Sequence, residues 1–516
     1  MRKPLWIFTF VRMRIQKPVV YKKIFIFIAY LIAALLAYFP ILDNNYFSDD
    51  FDTIQRLTVQ KQFWSPGFFR PLSDAGIVFV HKLAGQDAGA QYATAILMLA
   101  GGAFLFYCFS KSIFSKDEIP EWIHQVGGIL FLLYPFHFES MAWCVGRGSM
   151  QAALLALWSI FFALNNHTNY KKILLSQILY FLALATYETV FVVPALVFFL
   201  VYIKTNASRN AFLISACYAS TLFVHFALRI FTTGSIFGSY QKDGFAQQSI
   251  DYFSNYAKAI SRTVVLPLLN TDHFALATAC FFLLIIFLLY KILKQSTRYQ
   301  KLIVICLTIC LLITLIVAAI FSISVKTSEG DRLLFLPSIF VILLLIFFIS
   351  HLKRYQLLQK GVIAIVAVYF CYNLYVQHTR WNEASEIIDE TMAACKKMIH
   401  GTTKNVAILN LPDTYLGAYV YRHGFKSCLQ QHGVDSSRIN ALSYFMEWDY
   451  RDTEMPFSYQ KINDSVLFNN YATLTLGQQK TEIIIKDTSI FRLNLTQFDI
   501  WFWNKTNYQK IVIDKK

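Results

Sequence analysis

The chain has 516 residues, of which 56% are hydrophobic and only 15% charged, with a mean hydropathy of +0.45. Phe contributes 48 residues and Tyr 29. That is more apolar surface than a water-soluble fold of this length can bury, which excludes a soluble enzyme, a disordered chain and a fibrous repeat. The formal net charge is +16. In a soluble protein it would suggest nucleic acid; in an apolar chain it points first to basic loops held on the cytoplasmic side of a membrane, and no nucleic-acid partner is expected.

In chain order, a basic arm with Arg2, Lys3, Arg12, Arg14, Lys17, Lys22 and Lys23 precedes the first apolar run. The arm is long and shows no small-residue cleavage site before Asp43, so the first span is expected to be retained. Apolar runs follow at 24–40, 91–113, 122–136, 149–164, 173–186, 189–203, 211–230, 274–293, 302–323, 333–350 and 361–377, which predicts eleven spans. Several are shorter than about 20 residues and must tilt or extend into polar flanks. Residues 1–377 hold 31 Lys+Arg against 16 Asp+Glu, and residues 378–516 hold 16 against 15, so the basic excess belongs to the membrane part. With the N-terminus inside, 20 of those 31 cations fall in inside loops, and an odd span count puts the tail outside.

The tail, 378–516, reads as a small α/β domain. Residues 380–400 are predicted as an amphipathic helix and 405–411 as a strand. Pro412-Asp413 and a helical stretch follow, and alternation such as Thr481-Glu482-Ile483-Ile484-Ile485 predicts terminal strands. It shows no catalytic motif; its expected job is capping, or partner and acceptor binding. Of nine Cys, seven lie in or beside spans, where Cys is a small hydrophobe. Cys395 and Cys428 lie in the tail, where a disulfide between them stays open. No CxxC or His/Cys cluster suggests zinc.

Charges near a membrane are costly unless paired or wet, so the sparse polar groups of the outside loops are informative. The first loop carries Asp49, Asp50 and Asp52 within four residues, either as helix-capping groups or as a general base whose pKa a neighbouring carboxylate raises. The same loop carries Arg70 in Phe69-Arg70-Pro71-Leu72, a phosphate or carboxylate ligand or an interfacial anchor. The next outside loop holds His137, Glu139 and Arg147. A short turn holds Glu188, and Asp331-Arg332 opens a later span. All of these fall on one face under the assigned topology. Acids and arginines converging at one membrane surface fit chemistry on a phosphate-bearing lipid, with arginine forks on the phosphate and a carboxylate deprotonating an acceptor.

These segments carry a family resemblance. Asp49-Asp50-Phe51-Asp52-Thr53-Ile54 resembles the DDxxAI segment of TMTC-type GT-C glycosyltransferases, and Phe69-Arg70-Pro71-Leu72 their YRPL. Tyr134-Pro135-Phe136-His137-Phe138-Glu139 with Gly146-Arg147 resembles their HPxHTE…GR stretch. Glu188 falls where they have Lys-Glu, with Tyr187 replacing Lys. Ser328 to Ser338 is similar to their AERLLYLPS, with Asp331 replacing Glu, and Arg380-Trp381-Asn382-Glu383 resembles the segment after their last span. The order and spacing match over about 340 residues of the chain. Two features depart: the stretch Gly89 to Ala95 lacks a His found in the family's second span, and the tail lacks tetratricopeptide repeats. Bacterial relatives with a short outer α/β tail are the nearer match, which implies an inner (plasma) membrane location.

The resemblance implies a mainly α, GT-C-like polytopic helix bundle and an inverting transferase. Its donor would be a polyprenyl-phosphate sugar and its acceptor a hydroxyl on a glycan, lipid or protein. Asp49 would be the base, in preference to Asp50, and Arg332, Arg147 and Arg70 the donor-phosphate ligands. His137, Glu139, Glu188, Asp331 and Asp52 would be acceptor-side or supporting groups. No metal is required if the clamp is cationic, although three loop aspartates leave room for a divalent ion. The competing readings are a lipid-linked glycan ligase, polymerase or flippase, which usually depends on a large central outer loop, and a solute transporter, which needs mid-membrane charges and inverted repeats.

Overall fold

The computed structural model describes residues 17–63, 67–115, 119–236, 249–268, 270–352, 355–409, 411–442, 444–445, 457–462, 465–470, 482–485, 488–494, 497–503 and 507–510. The charges of the N-terminal arm through residue 16, and Thr481 of the alternating stretch, lie outside these residues. The fold is mainly helical, with a small C-terminal sheet region.

Among the described residues, seven helical segments are long and apolar enough to cross a membrane: Tyr21–Asp43, Ala88–Ile113, Arg147–Asn165, Ser208–Thr233, Arg298–Phe321, Asp331–His351 and Gln356–His400. Every one of the eleven apolar runs lies on a helix; three of the remaining four helices are short, while Thr271–Gln295 has 25 residues, not all of whose side chains are described. The sequence shows why. Glu121–Leu132 has 12 residues because Pro120 starts it and Pro135 follows it closely. At 1.5 Å per residue that is about 18 Å, well under a hydrocarbon core of about 30 Å. Tyr170–Leu184 is ended by the Ala185–Glu188 turn, and Val193–Thr205 runs from Pro194 to Asn206, which caps it in the left-handed conformation. Large apolar side chains stay exposed along the long helices: Leu36 (78%), Phe231 (90%) and Leu357 (87%). Such a belt suits lipid and not water.

One helix spans the boundary expected at residue 377. Gln356–His400 runs 45 residues without a break. Its first half exposes Leu357, Ile365 and Val368, while its second half buries Trp381, Ile388, Met392 and Cys395 beneath the tail. The amphipathic helix expected at 380–400 is thus the continuation of the preceding apolar helix, and the tail packs on it.

The tail is α/β. Asn405–Leu409 is a central strand with parallel partners Phe498–Trp503 and Ile439–Ala441, and Tyr508–Lys510 closes the sheet antiparallel to 498–503. A second, antiparallel sheet contains Phe457–Ile462, Ser465–Asn470, Thr488–Asn494 and Glu482–Ile485. The stretch after Pro412-Asp413 is not helical. Thr414–Tyr415 pairs with Ala418–Tyr419 across Leu416 and Gly417, both at positive φ (48° and 94°), the geometry of a type I′ hairpin turn, and helix begins only at Phe425. Cys395 and Cys428 are free and buried.

The tail is bonded to the loop that carries the aspartates. Asn45 N–H donates to Ser385 Oγ (2.9 Å), and Ser48 N–H to the Val420 carbonyl (3.0 Å). Gln431 Nε2 donates to the Phe51 carbonyl (3.2 Å). Phe47 packs edge-on to Trp381 at 4.8 Å.

Candidate active site

A cavity of about 420 Å³ opens where these segments meet. Asp49, Asp52 and Arg56 line it from the first loop, Arg70 and Asp74 from the next helix start, Trp143 and Tyr187 from two turns, and Arg332 from the later span. Tyr419, Arg422 and His423 reach it from the tail.

The aspartates divide sharply. They open a six-residue helix, Asp49–Ile54, that continues as one π turn. Ser48 makes no capping bond to that helix; its Oγ accepts from the His423 N–H (3.2 Å), and its φ of 50° is strained for a non-glycine. Asp50 is fully buried, and its carboxylate accepts three backbone N–H groups: Phe47 (3.3 Å), Cys144 (3.1 Å) and Val145 (2.8 Å). Burial, and then the neighbouring Asp49 charge, push it up to about 8 against those three donors. Asp50 therefore braces two loops against each other. Asp49 is half-buried, faces the cavity and accepts from Trp143 Nε1 (3.1 Å). Burial raises its pKa too, opposed by His423 and Arg332. Asp52 is exposed at the rim, where Ser427 Oγ donates to it.

The arginines are held from behind. Arg70 grips Glu188 through Nε (3.1 Å) and Nη2 (2.8 Å), with its guanidinium 4.1 Å over the Tyr187 ring and 4.7 Å over that of Phe68. Glu188 also accepts from Arg229 Nη2 (2.7 Å). Burial alone would raise Glu188, but Arg70 and Arg229 outweigh it and hold the carboxyl at about 2. Arg332 pairs with Glu139 through Nη1, and its backbone N–H donates to the same carboxylate (2.8 Å). It also donates to the hydroxyls of Tyr419 (3.1 Å) and Tyr187 (3.4 Å) and lies 4.9 Å over the Trp143 ring. Tyr187, which stands where the resembled family has Lys, thus ties Arg70 to Arg332 by its ring on one side and its hydroxyl on the other.

Of the other expected residues, six lie away from the cavity wall: the buried Asp50, Arg147, His137, Asp331, Glu139 and Glu188. Arg147 is buried and donates to the Gln91 carbonyl (2.7 Å) and Oε1 (2.8 Å), which joins the helices Arg147–Asn165 and Ala88–Ile113. Its fork is filled by protein, so a phosphate-ligand role does not fit its position. His137 stacks on Phe335 at 3.9 Å and bonds Ser338 Oγ (2.7 Å). Asp331 pairs with the buried Arg262, which also donates to the Ser324 (2.9 Å) and Val265 (2.8 Å) carbonyls. Glu139 and Glu188 stand behind arginines and do not face the cavity themselves.

Several cavity groups went unread in the sequence. Arg56 pairs with Asp74 (3.1 Å). Arg422 donates to Asp413 (3.0 Å) and pairs with Glu329, clamping the tail onto the loop before Arg332. Nothing local marks Arg422 or His423, because they reach the aspartates from about 370 residues away in the chain. Arg229 did carry a signal: an arginine inside an apolar run needs a partner. Among the described residues no group of three or more His, Cys, Asp or Glu is arranged to hold a metal.

Compared with known proteins, the chain matches no family model and no curated protein.

Proposed function

We propose that this chain is an integral-membrane inverting glycosyltransferase of GT-C type, with eleven spans, three of them short, and its cavity and tail on the extracytoplasmic side. It moves a sugar from a polyprenyl-phosphate donor to an acceptor hydroxyl. The observation that carries this reading is a half-buried carboxylate, Asp49, that shares one cavity with several arginines at the end of a bundle of apolar helices.

The chemistry needs one base, an anion clamp and access from lipid and water. Asp49 takes the acceptor proton as the hydroxyl oxygen attacks the anomeric carbon. The bond to the phosphate oxygen breaks, and the polyprenyl phosphate leaves as the anion. A raised pKa makes Asp49 a stronger base than an exposed aspartate, and Arg332 keeps it from being neutralised outright. Arg70 and Arg332 face the same space with their forks oriented by Glu188 and Glu139, so they meet the leaving phosphate without reorganising. The inverting outcome follows from a single displacement, because Asp50 is fully buried behind the cavity wall, bonded to three backbone N–H groups, and does not serve as a second nucleophile.

The test is incubation of the purified full chain in lipid nanodiscs with labelled polyprenyl-phosphate sugars and mixed glycan, lipid and peptide acceptors. Release of polyprenyl phosphate with a product of inverted anomeric configuration is expected. Turnover of a nucleotide sugar instead, or retention of configuration, would overturn the reading.

A further inference from the structure

A second cavity, of about 440 Å³, lies beside the short aspartate helix. Asp49 and Asp52 line the first cavity, and Phe51 lines this one. At about 100° per residue, Phe51 points away from Asp49, so the two cavities flank one helix. Three parts of the chain build the second. The end of the first span gives Asp43, Asn44 and Asn45, the start of the helix Ala88–Ile113 gives Gln86 and Asp87, and the tail gives Gln431. These parts are tied together. Asn45 Nδ2 donates to Ser385 Oγ (3.2 Å), the Tyr46 hydroxyl to the Asp87 carbonyl (3.3 Å), and the Gln431 amide to the Phe51 carbonyl (3.2 Å). Gly89 approaches so closely that a β-carbon there would overlap the Leu42 carbonyl oxygen. Asn44 stands apart: it is 6% exposed, lines the cavity, and its Nδ2 has no hydrogen-bond partner. A buried donor without an acceptor is costly, and a ligand oxygen in the cavity would supply one. The lining holds two carboxylates and four amides and, among the described residues, no Lys or Arg. Phosphate, sulfate and carboxylate ligands are therefore disfavoured. The rings of Tyr46 and Phe51 on its wall are buried, so an apolar peptide side chain finds little to pack on. Carboxylate oxygens accept from hydroxyls, and amides both accept and donate, which suits a ligand with many hydroxyl groups and no charge.

We propose that this second cavity is a saccharide subsite, which holds a neutral, polyhydroxylated unit of a glycan between the first span, the helix Ala88–Ile113 and the tail. Asp43, Asp87 and the amides take its hydroxyl protons, and the unmatched Asn44 amide gives it a donor. The subsite stands on its own geometry. Its link to chemistry rests on the transferase reading: there the occupant is an inner unit of the acceptor, whose terminal hydroxyl reaches Asp49 on the other face of the helix. The acceptor is then an uncharged oligosaccharide rather than a lipid or a peptide, and it is longer than one sugar, because the two cavities are a helix thickness of about 10 Å apart.

The measurement is binding of the full chain, in neutral-lipid nanodiscs, to an array of defined neutral, acidic and phosphorylated oligosaccharides, followed by titration of the best-retained neutral one. Neutral oligosaccharides are expected to be retained and charged ones excluded. Asp43→Lys, at an exposed position, is expected to weaken the neutral ligand about 10-fold or more, the scale of a hydrogen bond to a charged group, and to admit acidic glycans. Gln86→Ala, also exposed, weakens it about 3- to 10-fold. Asn44→Leu, close in size, weakens it by a similar factor while the melting temperature holds or rises, because the unmatched donor is gone. If Asn44→Leu proves poorly folded by size exclusion, the two exposed variants still decide. Retention of no neutral oligosaccharide, a preference of the wild type for charged ones, or wild-type affinity in both Asp43→Lys and Gln86→Ala overturns the proposal. On the transferase reading, Asp43→Lys raises the acceptor KM and leaves kcat within about 3-fold; an unchanged acceptor KM overturns the acceptor assignment. Binding that depends on Asp43, with no sugar transfer by the wild type, would sink the transferase reading and leave the saccharide subsite standing.

Discussion

The contact between Gly424 and Ser48 offers the sharpest test of how the tail serves the cavity. Gly424 sits at φ +80°, and a β-carbon there would overlap the Ser48 carbonyl oxygen and press on the Phe51 β-carbon at 3.2 Å. Neither neighbour can swing aside, because one is backbone and the other lies within the short helix Asp49–Ile54. Gly424→Ala therefore carries two costs: about 1–2 kcal/mol for an L residue in the left-handed region, and about 1–3 kcal/mol for overpacking. Relief requires Ser48 to move by about 1 Å, and Ser48 is bonded directly to Asp49; a misplacement of that size costs on the order of 10²-fold in rate. Gly433→Ala is the control. Its φ is +70°, with nothing within 4 Å of the added carbon, so it carries the backbone cost alone. The assay is thermal unfolding and sugar transfer on both variants. Gly424→Ala is expected to lose about 2–5 kcal/mol of stability and most of its turnover, Gly433→Ala roughly 1–2 kcal/mol and little turnover. Equal behaviour of the two would refute the idea that tail and aspartate loop form one unit.

Other outcomes follow from the same geometry. Asp50 holds its proton to about pH 8 when folded, against an ordinary 3.8, so the folded state binds more protons across that window and stability falls as pH rises from about 4 to 8; Asp50→Asn flattens this slope in thermal melts, while losing roughly 1–3 kcal/mol because its amide turns a donor toward an N–H. Glu188 titrates the other way: its pKa is lowered to about 2, so its contribution is present above about 4.5 and lost on acidification toward 2, and Glu188→Gln weakens the acid sensitivity of the melt. Arg147→Met lowers the melting temperature, because the buried Gln91 carbonyl and Oε1 lose the Arg147 fork, but leaves donor affinity within about 3-fold; a selective loss of donor affinity would return Arg147 to the clamp. Arg332→Lys keeps the charge but loses the fork shared among Glu139, Tyr419 and Tyr187, and raises the donor KM.

The sequence displayed the apolar helices, because a run of Leu, Ile and Phe has the same meaning wherever it packs. It displayed the aspartates, Arg70, Glu139, Glu188 and Arg332 too, since polar groups at the ends of apolar runs are few enough to examine singly. Residue type alone did not say where each side chain points. Arg147 has the chemistry of a phosphate ligand, yet Gln91 fills its fork. Asp49 and Asp50 are neighbours with opposite fates, decided by the N–H groups of Cys144 and Val145 in another loop. Arg422 and His423 come from the tail through a hairpin that the Pro412-Asp413 stretch did not announce, and their approach depends on non-local packing of Gly417 on Thr327 and Gly424 on Ser48. Arg229 was legible as an arginine in an apolar run, but its partner Glu188 lies 41 residues away.

The central claim, that Asp49 is the base, is tested most directly by kcat and donor Kd measured side by side on wild type and Asp49→Asn. The account expects kcat to fall by about 10² or more while the Kd for polyprenyl-phosphate sugar stays within about 3-fold, since the phosphate is held by arginines and Asp49 acts on the acceptor hydroxyl. Full turnover in Asp49→Asn, or a loss that appears only in donor binding, would contradict it.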